Sequence, residues 1–175
     1  MNRRLGSIAP SAARGFSLVE ILIVVVIVGI LAAIAIPKLA TASQSARENS
    51  LRDNLRLMRT QIGVYRTQHQ DVNPGFPGGN LAATPTFQTA SDQLTLYTDN
   101  SGNTSATASA TFKWGPYLTR LPENPVNNLA TWKILAPADD TTPDGTTGWL
   151  YQPATGLFRA NLTTFDNTGH PFAEY

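Results

Sequence analysis

The feature that most limits what this chain can become is an unbroken apolar run. Residues 16–36, from Phe16 to Ile36, hold one charged group, Glu20. As a helix rising about 1.5 Å per residue the run is about 31 Å long, which matches a hydrocarbon core of about 30 Å. Arg3, Arg4 and Arg14 precede it and no acidic residue does. That bias favours a cytoplasmic N-terminus and an exported C-terminal part. The sequence therefore predicts one membrane-spanning helix followed by a soluble domain.

Three readings of the run compete. A secretory signal peptide has an apolar region of about 7–15 residues that ends at a small-residue cleavage site; this run is longer and carries a glutamate near its start. A plain signal anchor explains the length and the arginines and leaves Glu20 without a purpose. An ionisable residue inside a membrane segment costs about 2.5 kcal/mol or more near the centre, so it calls for a partner. Cutting the chain before Phe16 creates one: a new α-amine one helical turn from Glu20. In a packed bundle that amine could reach a neighbour's carboxylate, and such a pair also fixes the register between helices. A glycine before the cut lets the backbone enter a tight protease site.

The segment Gly15-Phe-Ser-Leu-Val-Glu20, the aliphatic run after it, and Gly29-Ile-Leu-Ala-Ala-Ile-Ala-Ile-Pro37 resemble the N-terminus of type IV pilins and type II secretion pseudopilins. The resemblance covers about 25 residues closely. It implies a leader, residues 1–15, removed between Gly15 and Phe16 by a membrane aspartic prepilin peptidase. It also implies N-methylation of Phe16, subunit registration through Glu20, and a helix kink at Pro37 that permits bending when subunits pack. Losing the leader removes three arginines and no acid, which takes the formal charge from +1 to −2.

Residues 38–70 read as the amphipathic half of one long helix. Leu51, Leu55, Met58, Ile62, Tyr65 and His69 follow one another at alternating spacings of four and three, a single helical face. Glu48 and Arg52 form an i,i+4 pair in the favourable order. The proline- and glycine-rich stretch 71–80 ends the helix. Residues 90–98 suggest a short second helix started by Ser91 or Asp92, and residues 99–110 a polar surface loop. The segment Phe112–Pro125 reads as extended; its Gly115-Pro-Tyr-Leu118 and Leu121-Pro-Glu-Asn-Pro125 pieces resemble the middle of major-pseudopilin-like proteins. Trp114 and Tyr117 read as packing residues. One strand is expected within 128–136. A hairpin is expected from Gly148–Gln152 through Pro-Ala-Thr-Gly to Leu157–Leu162, with the tail 166–175 irregular.

The expected fold is α+β and pilin-like: a long N-terminal helix whose second half covers a small antiparallel sheet. Few-stranded sheets are marginal alone and need such a cover. The expected divisions are a leader at 1–15, a membrane and filament-core helix at 16–37, an amphipathic helix at 38–70 and a head at 71–175.

The chain has no cysteine, which excludes disulfides, thiolate metal sites and a cysteine nucleophile. With no Lys/Arg cluster there is no nucleic-acid signal. His69 and His170 are the two histidines, and no hydrolase or metalloprotease motif is present, so an enzyme is not expected. Asp139, Asp140 and Asp144 share one loop, and calcium is the cofactor such a loop could take. Their spacing fits neither an EF-hand nor the calcium loop of major pseudopilins, so a solvated turn is preferred and no metal ligand is assigned.

The preferred function is a pseudopilin that polymerises into a short secretion fibre. Its expected partners are its own copies, prepilin peptidase, an inner-membrane assembly platform, minor pseudopilins, and membrane lipid before assembly. The alternatives are a type IV pilin for adhesion, motility or DNA uptake, and a membrane-anchored binding protein that never polymerises.

Overall fold

A computed structural model describes residues 15–175 of the chain. They fall into two units that divide between Ala42 and Ser43. The expected leader lies outside the described residues except for Gly15. Helix α1 (Leu18–Gln68) contributes residues to both units and runs through Pro37. The absent proline N–H leaves the Ala33 carbonyl without its usual donor four residues on.

In the second unit α1 buries the face read from its spacing: Leu51, Leu55, Met58, Ile62 and Tyr65 are buried, as is His69 just past its end. Gln70 and Asp71 terminate it in the left-handed region at φ 56° and 63°. The Asp71 N–H returns to the Arg66 carbonyl at 3.1 Å, closing the last turn as a Schellman-type cap does.

The short α2 (Phe87–Thr95) starts earlier than expected. Its cap is Thr86, whose hydroxyl accepts the Thr89 N–H at 3.1 Å, so Ser91 and Asp92 lie inside the helix. Its Gln93 is fully buried and spends its amide on three backbone groups. The Oε1 accepts from Gly75 N–H at 2.7 Å, and the Nε2 donates to the Phe76 and Gly102 carbonyls at 3.0 and 2.8 Å. Strand β1 (Tyr97–Thr98), at the end of the stretch read as helix, then pairs antiparallel with β2 (Thr104–Ser105), in the stretch read as a loop. Gly102 turns between them at φ 81°, where a side chain would strike the Tyr65 hydroxyl.

The main sheet holds β3 (Trp132–Ile134), β4 (Trp149–Gln152) and β5 (Leu157–Ala160), in the order β3-β4-β5. The β4–β5 hairpin pairs antiparallel, from Trp149↔Ala160 to Gln152↔Leu157. Strand β3 departs from the expected all-antiparallel sheet. It pairs parallel with β4, Trp132↔Trp149 to Ile134↔Tyr151, because the connection 135–148 carries the chain back to the same end before β4 begins. The sheet is mixed and the fold is α+β, consistent with a pilin-like architecture.

Between α1 and this sheet lies one apolar core containing the α1 face, Trp149, Tyr151, Phe158 and Ala160. Trp132 meets Phe158 edge-on at 4.9 Å, and Trp149 stacks on Phe158 at 5.3 Å. The Trp149 indole donates to the Pro122 carbonyl at 3.0 Å and the Tyr151 hydroxyl to Pro74 at 2.8 Å. The Trp132 indole N–H has no such partner among the described residues; its ring sits among Phe87, Tyr151 and Phe158.

The tail 166–175, read as irregular, holds a short 3₁₀ turn at Phe172–Glu174 and is firmly tied. The Tyr175 hydroxyl donates to Asp166 Oδ2 and receives Arg52 Nη2, both at 2.5 Å, while the Arg52 guanidinium lies over the Tyr175 ring at 4.3 Å. Arg59 reaches the Tyr175 backbone oxygen. The Tyr175 hydroxyl, with Thr168 and the His170 amide, holds the Asp166 carboxyl well below the usual carboxylate range. These contacts replace the Glu48–Arg52 pair read from spacing. Glu48 is buried and accepts from the Asn167 N–H at 3.0 Å and Gln44 Nε2 at 3.1 Å, and Arg52 faces Asp166 at 3.6 Å.

Leu55→Ala should cost about 2–5 kcal/mol, since it opens a cavity in a closed core; denaturant unfolding measures it. A second outcome concerns His69, which stacks on Tyr65 at 3.8 Å. Its Nδ1 donates to the Tyr65 carbonyl at 2.7 Å, so the neutral ring accepts from the Thr98 hydroxyl at Nε2, 3.0 Å away. Burial pushes its pKa below 6.5, against the upward pull of the Tyr65 carbonyl and Asp99. The unfolded chain therefore takes up this proton first as pH falls. Stability should be flat above pH 7 and decline below about 6.5, by at most about 1.4 kcal/mol per unit from this group. His69→Gln should flatten that slope in melts taken between pH 5 and 7.

Candidate processing and assembly segment

Gly15, Phe16 and Ser17 precede α1 in non-helical conformation. Gly15 is exposed, and a Cβ there would meet nothing among the described residues. Phe16 is 75% exposed. Ser17 starts the helix. Its carbonyl accepts from Glu20 and Ile21 N–H at 3.1 and 3.2 Å, and its hydroxyl from Val19 N–H at 3.3 Å, the work of an N-cap. The junction Gly15–Phe16 is thus a non-helical segment against the first turn of a helix, exposed among the described residues. Glu20 sits in that first turn, exposed, where a carboxylate is favoured by the positive end of the helix dipole.

The large apolar residues from Phe16 to Ile36 are between 49% and 90% exposed. An 18-residue window of this helix has a mean hydropathy of 3.2 with none of it buried. An unpartnered apolar surface of this extent marks a membrane or protein interaction, and the length suits a bilayer core. Glu20 is the acidic group along it, and Lys38 follows immediately beyond Pro37. The geometry therefore presents an exposed Gly-Phe junction, a carboxylate one turn further on, and an apolar rod in need of cover. Gly15, Phe16 and Glu20 lie together at one helix start; Pro37 lies well along the same helix.

A family model for the prokaryotic N-terminal methylation motif matches residues 10–36. The chain carries a prepilin-type N-terminus. The motif supports a type IV pilin-like protein, and together with the apolar helix it fits a single-pass inner-membrane anchor. Residues 10–14 of the match lie outside the described part. Neither the curated proteins nor the solved structures yielded a match to this chain.

In the head, the acidic loop is occupied by the protein's own groups. Asp144 Oδ2 takes the Lys133 ammonium at 2.7 Å; Oδ1 accepts from Thr146 Oγ1 and Asn161 Nδ2, each at 2.7 Å. Lys133 is the leading cause that holds the Asp144 carboxyl far below the usual range. Asp139 accepts from Ala136 N–H at 2.7 Å and Asp140 from Thr142 N–H at 2.9 Å. Among the described residues no three His, Cys, Asp or Glu side chains are gathered as for a metal. Spacing along the loop could not have revealed Lys133, which reaches in from β3.

The ammonium sits where a cation would be drawn. Adding calcium or a chelator should therefore leave the melting temperature unchanged. Lys133→Met should speed amide hydrogen exchange at residues 142–146, the loop segment around Asp144.

Proposed function

We propose that the chain is a structural pseudopilin of a type II-like secretion system. It is made as a precursor and cut between Gly15 and Phe16 by prepilin peptidase. Phe16 is then N-methylated, and the protein is held in the inner membrane by residues 16–37 with the N-terminus cytoplasmic and the head periplasmic. Residues 38–70 carry the head, residues 71–175. Copies leave the bilayer by polymerising on an inner-membrane assembly platform together with minor pseudopilins, and the fibre helps to export folded proteins.

One observation carries this reading: an exposed apolar helix that begins with a carboxylate one turn beyond an accessible Gly-Phe junction, inside a matched methylation motif. Cleavage supplies the amine that Glu20 lacks. In the assembled fibre that amine and a neighbour's Glu20 form a buried pair, and Pro37 supplies the bend by which the helix adapts to its neighbours. In such chains the motif marks structural subunits rather than enzymes. The motif is common to type IV pilins, so the secretion role draws its support from the Gly115-Pro-Tyr-Leu118 segment and its resemblance to major pseudopilins.

Co-expression with a prepilin peptidase should give a product that starts at Phe16 and carries the mass of one added methyl group. Gly15→Leu should retain residues 1–15. Glu20→Ala should be cut normally yet fail to polymerise. Stripping one member of a buried pair costs about 3–5 kcal/mol, which lowers assembly more than about a hundredfold in a sheared-fibre assay. Normal fibres from Glu20→Ala would refute the registration role.

A further inference from the structure

A cavity of about 520 Å³ in the head lies between residues 81–85 and residues 134–139, a volume in the range of ligand sites. Phe76, Leu81, Pro85, Ile134, Leu135 and Ala154 make its walls apolar. One wall also carries unspent backbone groups. Leu135 N–H donates to the Tyr151 carbonyl at 2.9 Å, and Trp149 N–H to Thr131 at 3.2 Å. With the register Trp132↔Trp149 and Ile134↔Tyr151, residues 131, 133 and 135 make the ladder with β4. Alternate residues of a parallel strand face the other way. The N–H and C=O of Ile134 therefore point off the free edge of β3, the outermost strand of its sheet. An unpaired edge is a template for another strand.

The rim is acidic. Asp139 lines the cavity and Asp140 follows it, and neither is in an ion pair among the described residues. The cation on the same strand, Lys133, is engaged with Asp144. An aliphatic slot, a strand edge with a free donor and acceptor at Ile134, and an excess of negative charge, with Lys133 the cation facing Asp139, Asp140 and Asp144, thus converge. We infer that this cavity docks an extended peptide segment of a partner protein, one that places a bulky aliphatic side chain beside a lysine or arginine. The peptide backbone pairs with Ile134, the aliphatic group fills the slot, and the cation lies against Asp139 and Asp140. This is strand addition with a side-chain pocket.

The head of a second copy, residues 43–175, does not supply that segment in extended form. Outside the cavity, the exposed large apolar residues of 43–175 are Leu57, Val64, Leu129 and Phe165. Leu57 and Val64 lie on α1. Leu129 stands between Asn128 and Ala130, and Phe165 between Thr164 and Asp166.

The test uses the full chain in lipid nanodiscs and the capped peptide acetyl-Thr-Val-Leu-Lys-Val-Thr-amide, followed by calorimetry. Binding is expected. A peptide with glutamate in place of the lysine should bind at least about tenfold more weakly, since like charges set against each other are penalised. The double variant Asp139→Asn, Asp140→Asn keeps the loop's hydrogen-bond acceptors and should erase that discrimination. Ala82→Trp should fill the slot and abolish binding. Should Ala82→Trp melt abnormally, the same peptide N-methylated on its backbone amides, which cannot donate to the strand edge, should bind the unaltered chain more weakly in its place. No binding to the unaltered chain, or equal binding of a peptide with aspartate in place of the leucine, would overturn the inference. So would disulfide pairing of two chains through Ala83→Cys without peptide binding, which would make a second copy the occupant.

Discussion

The contact between α1 and the β4–β5 hairpin is the one on which the head depends. Strands of two to four residues cannot hold a sheet by their own hydrogen bonds. What they lack is supplied by Leu51, Leu55, Met58, Ile62 and Tyr65, which close the core over Trp149, Tyr151 and Phe158. The remaining parts are arranged around that seam. Buried amides of Gln93, Asn124 and Asn161 satisfy backbone groups that a head this poor in secondary structure leaves over. Each such group would be costly if buried unpaired.

The same helix meets opposite solvation demands along its length. Its first half exposes aliphatic side chains all round, with no face reserved for water. Its second half has a buried stripe and a charged back, with Arg56 and Asp53 on the open side. A helix that is apolar all round is a membrane or filament element. One with a stripe is the wall of a domain. The transition falls near Lys38, and it is why one secondary-structure element can serve two environments.

Much of this was readable beforehand, for physical reasons. Helical spacing from Leu51 to His69 gave the buried face because periodicity is a local property of the chain. The hairpin was visible in its Pro-Ala-Thr-Gly turn, where Gly156 adopts φ 77°. The prepilin-type motif matched at residues 10–36 was legible because such motifs are linear in sequence. What escaped depends on distant partners. The direction of β3 is set by where a long loop returns. The start of α2 was misplaced because Thr86 competed with Ser91 and Asp92, and packing of Phe87 and Ala90 decided between them. Lys133 at the acidic loop, and Arg52 at Asp166 rather than Glu48, are unions across the fold that carry no signature in spacing.

The tie between Arg52 and Tyr175 joins residues 123 positions apart. A contact so remote in sequence gives the head a high contact order, and such chains fold late and slowly. The α1 helix can form as soon as its own residues are free, but its apolar stripe has no cover until the hairpin arrives. Between those moments the subunit carries a second sticky surface besides its N-terminal rod. The order in which the two are covered decides whether copies meet as finished subunits or as tangled intermediates.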